Sequence, residues 1–119
     1  MTLIEKNFIL CPFFEGDCTS RLQHIAELQN GKVLAQFDAT DLFRAKEGLK
    51  DRICISGNVP LSLLQAGALD DVKSYCKRLI EVVGKGGGFI LGPRAALGQA
   101  KPENVKAMID SAREFGRYL

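Results

Sequence analysis

A chain of 119 residues, 46% hydrophobic and 25% charged, is long enough to bury the core of one soluble domain and too apolar for an unstructured tail. Its 16 Lys and Arg against 14 Asp and Glu leave a net charge of +2, and the basic residues are scattered rather than striped, which argues against a nucleic-acid surface. No apolar run nears the roughly 20 residues that span a bilayer, and the opening "MTLIEKNFIL" is acidic where a signal peptide is basic, so a cytoplasmic protein without membrane contact is expected.

Apolar runs and helical patterns alternate four times along residues 1–119, taken as a single domain. "NFILCPFF" (Asn7 to Phe14) predicts a buried strand, and "TSRLQHIAELQ" a helix with Leu22, Ile25, Ala26 and Leu28 at helical spacing and a Ser20–Gln23 capping box. "KVLAQFD" (Lys32 to Asp38) predicts the second strand. "DLFRAKEGL" predicts the second helix, N-capped by Asp41, with Leu42, Phe43 and Leu49 as its apolar face.

"RICIS" (Arg52 to Ser56) predicts the third strand, with "GNVP" as a turn after it. A short helical turn precedes "LDDVKSYCKRLIEVV", in which Val72, Tyr75, Cys76, Leu79 and Val83 form one stripe and Asp70 and Asp71 suit the positive N-terminal end. "GFILG" (Gly88 to Gly92) predicts the fourth strand. "PENVKAMIDSAREFG" predicts the fourth helix, with Pro102 in its first turn and Gly116 as its stop. Continuous Ile, Leu, Val and Phe in strands separated by helices argue for a parallel sheet covered by helices. This (βα)4 order fits a small open sheet or half of a (β/α)8 barrel; a half barrel leaves two edges and an inner face to be covered.

Ligands of parallel α/β folds sit at the C-terminal ends of the strands. The four loops there offer Glu15, Asp17 and Cys18; Asp38 and Asp41; Ser56 and Asn58; and Arg94 and Gln99. Glu15, Asp17 and Asp38 can bring carboxylates together, where repulsion and burial raise a pKa toward proton transfer, whereas Asp17 and Asp41 equally suit helix caps. Asn58 serves either the "GNVP" turn or a ligand. Arg94, beside Gly92 and Pro93, suits either an anion clamp or plain solvation.

The cluster "GKGGG" precedes the fourth strand, lacks the GxxxxGK[ST] spacing and belongs at the opposite, structural end, as a turn with positive φ angles. Cys11, Cys18, Cys54 and Cys76 form no CxxC pair and are expected to be free thiols. Zinc between Cys11, Cys18 and His24 is not expected, because His24 falls on the first helix.

The segments "FEGD", "FDATDL", "GNVP" with "LLQAGALDDVKSYCKRLIE", "GGGFILGP" and "PENVKAMIDSAREFG" together resemble the C-terminal half of the uroporphyrinogen decarboxylase superfamily, which includes the corrinoid-dependent methyltransferases. The resemblance runs from about Phe8 to Gly116. It implies the last four units of a (β/α)8 barrel. It also implies a cofactor-free lyase that removes carboxylates from tetrapyrrole acetate side chains in porphyrin biosynthesis, with most catalytic arginines and the aspartate in the absent N-terminal half. Where family decarboxylases carry a histidine in the final loop, "GPRAALGQAKP" is one residue shorter and has Arg94 or Ala95. The zinc-binding His-x-Cys pair of the methyltransferases falls on Phe13 and Glu15, and the final loop has no cysteine.

Three readings follow. The first is a decarboxylase fragment or half barrel that binds a small carboxylated substrate through Glu15, Asp38, Asn58 and Arg94, with no metal or cofactor and no catalytic residue assigned. The second is a methyltransferase component that works with a corrinoid protein and zinc. The third is a non-catalytic half barrel that associates with a partner chain. Each expects a homo-oligomer or a missing N-terminal half-barrel.

Overall fold

The computed structural model describes residues 8–28, 32–49, 52–94 and 97–117. The apolar runs become four parallel strands, β1 (Phe13–Phe14), β2 (Leu34–Phe37), β3 (Cys54–Val59) and β4 (Phe89–Pro93), lying side by side in the order β1-β2-β3-β4. Between and after them come α1 (Leu22–Ile25), α2 (Leu42–Leu49), α3 (Leu61–Ala66), α4 (Leu69–Val82) and α5 (Pro102–Phe115). A doubly wound sheet reverses its strand order at a switch point, whereas sequential order is how a (β/α)8 barrel winds. The fold is therefore an α/β half barrel.

Side chains alternate across the sheet with the two-residue period of a strand. Ala35, Phe37, Ile55 and Val59 are buried in one core with Leu42 and Leu49 of α2, Leu64 of α3, and Val72, Cys76 and Leu79 of α4. The opposite face is open. Strand register aligns Phe13, Gln36, Ser56 and Ile90 in one row across it, and Phe13 and Ile90 are each about half exposed, at 52% and 51%. Burying such a side chain is worth roughly 1.5–3 kcal/mol, so this row leaves stabilisation unclaimed until something covers it.

Three expectations are corrected by the structure. "NFILCPFF" is not a buried strand: β1 is two residues long, joined to β2 further back only by a bridge from Leu10 to Val33, and Phe8 and Ile9 are exposed. As the sheet edge it has one neighbour, and Pro12 between bridge and strand has no N–H for the ladder. The first helix is a short 3₁₀ turn, Thr19–Arg21, running into α1, without the Ser20 capping box. Just ahead of the turn, Asp17 Oδ1 accepts from the Thr19 N–H at 2.9 Å and from the Thr19 hydroxyl. β3 runs three residues past Ser56, so "GNV" is strand rather than turn.

The other elements follow their sequence signals. Asp41 Oδ1 caps α2 by accepting from the N–H groups of Phe43 and Arg44 at 3.0 and 3.3 Å. Pro102 stands in the first turn of α5, and Gly86, Gly87 and Gly88 all take positive φ in the turn before β4. Asn104, fully buried in α5, donates to the carbonyls of Leu64 and Gly67 at 3.0 Å each and so ties α5 to the end of α3. These bonds give the Gly67 carbonyl a donor past the helix end and add a second donor to the Leu64 carbonyl, which also accepts from the Lys101 N–H at 3.0 Å.

Candidate functional site

The C-terminal ends of the four strands are joined by one continuous set of polar contacts. Continuing the two-residue period past the Phe13 row puts Glu15, Asp38 and Asn58 in the next layer of the open face, level with Gly92, and Arg94 one step beyond. Arg94 Nε donates to Asp38 Oδ1 at 3.0 Å, and the Gly16 N–H donates to Asp38 Oδ2 at 2.9 Å. The Cys18 N–H donates to the Thr40 hydroxyl at 2.8 Å.

Asn58 stands under this set. Its Nδ2 donates to the carbonyls of Asp38 and Thr40 at 3.0 and 2.6 Å, in a position only 6% exposed. A buried carbonyl without a donor costs about 1–3 kcal/mol, so the asparagine holds the β2–α2 loop against β3. Gly57 beside it packs so closely that a Cβ would lie 2.8 Å from the Phe37 carbonyl oxygen, at a φ of +133°. Only glycine accommodates both demands.

Of the four residues expected to bind substrate, Asp38, Asn58 and Arg94 are thus in one bonded group. Glu15 is exposed at the same mouth, connected through its neighbour Gly16 rather than through its own carboxylate. Asp17 and Asp38 take hydrogen-bond donors as partners rather than one another's carboxylate. The hydrogen bonds from the Thr19 hydroxyl and N–H hold the Asp17 carboxyl below its ordinary range, and Asp38 spends its two oxygens on Arg94 and Gly16. Ala95, the alternative to Arg94 at the histidine's place, lies outside the described residues.

Arg94 engages Asp38 through Nε alone, so its two terminal nitrogens carry no protein bond among the described residues. Beside it lies a cavity of about 230 Å³ whose lining includes Asp38, Thr40, Asp41, Asn58, Tyr75 and Arg94. Thr40 and Tyr75 were not singled out as site residues from sequence. Thr40 sits inside "FDATD" without a distinguishing spacing, and Tyr75 falls in the apolar stripe of α4. A larger cleft of about 1040 Å³ lies at the other end, along β4 between the glycine turn and Phe115. It borders the free edge of β4 away from the strands' C-terminal ends, so its position suits a packing partner better than chemistry.

Among the described residues no three His, Cys, Asp or Glu side chains are grouped as a metal ion requires. Cys18 Sγ lies 3.8 Å from the Glu15 carbonyl oxygen, and His24 is exposed on α1. No helix among the described residues is long and apolar enough to cross a membrane.

Comparison with known proteins decides the family, since the profile of uroporphyrinogen decarboxylase (URO-D) matches residues 4–115. The chain belongs to the URO-D family. A solved methyltransferase from Methanosarcina mazei superposes with a TM-score of 0.57 at 22% identity, over 83% of this chain and 36% of that one. At that identity the likeness speaks for the fold. This chain thus spans about a third of the length of that methyltransferase.

Proposed function

We propose that the chain is the C-terminal half of a URO-D-type barrel and supplies a carboxylate-gripping wall for a carboxy-lyase. The observation behind this reading is the Arg94–Asp38 bond through Nε alone, which orients a guanidinium at the mouth and leaves its terminal nitrogens for a second anion. Asp38 positions Arg94, Asn58 fixes Asp38, and Glu15 lines the opposite end of the same layer. In the reaction a carbon–carbon bond breaks, carbon dioxide leaves, and the released methylene carbon takes up a proton. The residues of this chain hold the substrate's carboxylates during that step. The substrate class is a tetrapyrrole carrying carboxymethyl arms.

The open row Phe13–Gln36–Ser56–Ile90 and the free edges of β1 and β4 call for the other half of the barrel, either an N-terminal half or a second copy of this chain. The test is turnover of uroporphyrinogen by the chain mixed with the N-terminal half of a full-length family decarboxylase. Stepwise loss of carbon dioxide, seen by mass spectrometry and abolished by Arg94→Gln, is expected. An assembled complex in which Arg94→Gln turns over at the wild-type rate contradicts the reading.

Methyl transfer is the second reading, favoured by the fold match to a methyltransferase and by Glu15 and Cys18 sharing the loop after β1. Its zinc would need ligands from the other half, and its methyl donor a corrinoid protein. Stoichiometric zinc in the assembled complex, lost on Glu15→Ala, would favour it over the lyase.

A further inference from the structure

The 230 Å³ cavity behind Arg94 has one lining residue whose chemistry neither the fold nor the ion pair uses. Tyr75 comes up from α4, half-buried, with its ring against the core. Its hydroxyl has no hydrogen-bond partner among the described residues and is not fully closed off by them, and the residue lines the cavity. Nearly all tyrosines with buried rings find a partner for the hydroxyl. Here the cavity is where that partner would be.

We infer that this cavity is a subsite for a single carboxylate arm of the substrate, held between the Tyr75 hydroxyl and the terminal nitrogens of Arg94. The inference rests on the carboxylate-gripping reading of Arg94 and adds a second donor from a different element. Size limits the occupant: pockets for drug-sized ligands run from about 300 to 1,000 Å³, so this one admits a side arm and excludes a macrocycle. Charge selects its sign. Asp38 is offset by Arg94 and the Gly16 N–H, and Asp41 by the first-turn N–H groups of α2, so the unspent donors are the guanidinium nitrogens and the phenol. Burial, with Asp41 next, raises the Tyr75 pKa above its ordinary value of 10.0, which keeps the hydroxyl a donor at neutral pH.

The test titrates succinate, and inorganic phosphate in parallel, into the folded chain while following the Arg94 Nε–Hε resonance. Tyr75→Phe keeps the ring and removes only the hydroxyl, and losing one hydrogen bond of this kind should weaken succinate about three- to tenfold. Arg94→Gln should weaken it further. Unchanged affinity in Tyr75→Phe together with a loss in Arg94→Gln overturns the subsite but leaves the Arg94 reading standing; no effect of either variant, or no binding at all, overturns both. Phosphate binding tighter than succinate, with the same dependence on Tyr75, overturns the carboxylate assignment.

A second measurement does not depend on how Tyr75→Phe folds. In a Tyr118→Phe background, Tyr75 is the sole tyrosine. Saturating succinate should raise its phenol pKa further, because a bound anion disfavours the phenolate. An unchanged titration curve overturns the inference.

Discussion

Arg94 and Asp38 meet through one hydrogen bond, guanidinium Nε to carboxylate Oδ1 at 3.0 Å, across the strand that carries Asn58. The bond spans three strand ends, and its side chains are 43% and 18% exposed. Exposed pairs of this kind are worth about 0–1 kcal/mol, so the pair orients Arg94 more than it stabilises the fold. Asp38→Asn should therefore lower the urea midpoint by the equivalent of about 1 kcal/mol or less. A loss several times larger would make the pair structural.

Asn58 carries more of the stability. Asn58→Ala removes the donor from two carbonyls in a nearly closed site, at a cost of about 2–4 kcal/mol. For a chain of this size that corresponds to a fall in Tm of about 10 °C. Asn58→Asp should be no better, since a carboxylate presents acceptors to acceptors. Thermal unfolding followed by circular dichroism checks both, and a shift below about 2 °C would show that the two bonds contribute little.

Asp17 gives a pH dependence with a definite sign. The Thr19 hydroxyl and N–H, the largest causes, hold its carboxyl below the ordinary 3.8, so the group favours the folded chain above that value and loses the effect as pH falls through its lowered folded pKa. The window lies below about pH 4. Thr19→Val should move the Asp17 titration upward toward 3.8 in carboxyl-detected NMR, and an unmoved midpoint would remove the hydroxyl as the cause. Asp17 is fully exposed, so the readout is the titration and not the melting point.

The cysteines should separate by reactivity. Burial pushes the Cys76 thiol up to about 11 and raises Cys54 as well, whereas Cys11 is exposed on the open side of the sheet. At pH 8 iodoacetamide should label Cys11 readily and Cys76 only on unfolding. Peptide mapping checks this. Once the other barrel half is bound, Cys11 should become protected too; labelling of Cys11 that is indifferent to the partner would mean that this face stays uncovered.

How far the sequence foretold this arrangement depended on whether one element or several carry the feature. The three later strand–helix units, the Asp41 cap, the Pro102 start and the glycine turn are local patterns, and each took its expected place, whereas the first unit shrank to a two-residue strand and a short helical turn. "GNVP" misled because glycine, asparagine and proline punctuate turns, yet here the asparagine is a strand residue bonded to carbonyls 18 and 20 positions away. Tyr75 showed only helical spacing, which is the same for a core ring and for a ring with its hydroxyl in a cavity. Choosing the barrel over an open sheet required the strand order, which no periodicity contains.

The most direct measurement is titration of uroporphyrin, an oxidised octacarboxylate analogue, into the wild-type chain and Arg94→Gln at matched folding, followed by porphyrin fluorescence. A carboxylate clamp at the mouth predicts binding that weakens with added salt and falls at least about tenfold in the variant, since charged hydrogen bonds are worth about 1.5–3 kcal/mol. Equal affinity for both proteins would place the porphyrin on the open apolar face and contradict a carboxylate role for Arg94.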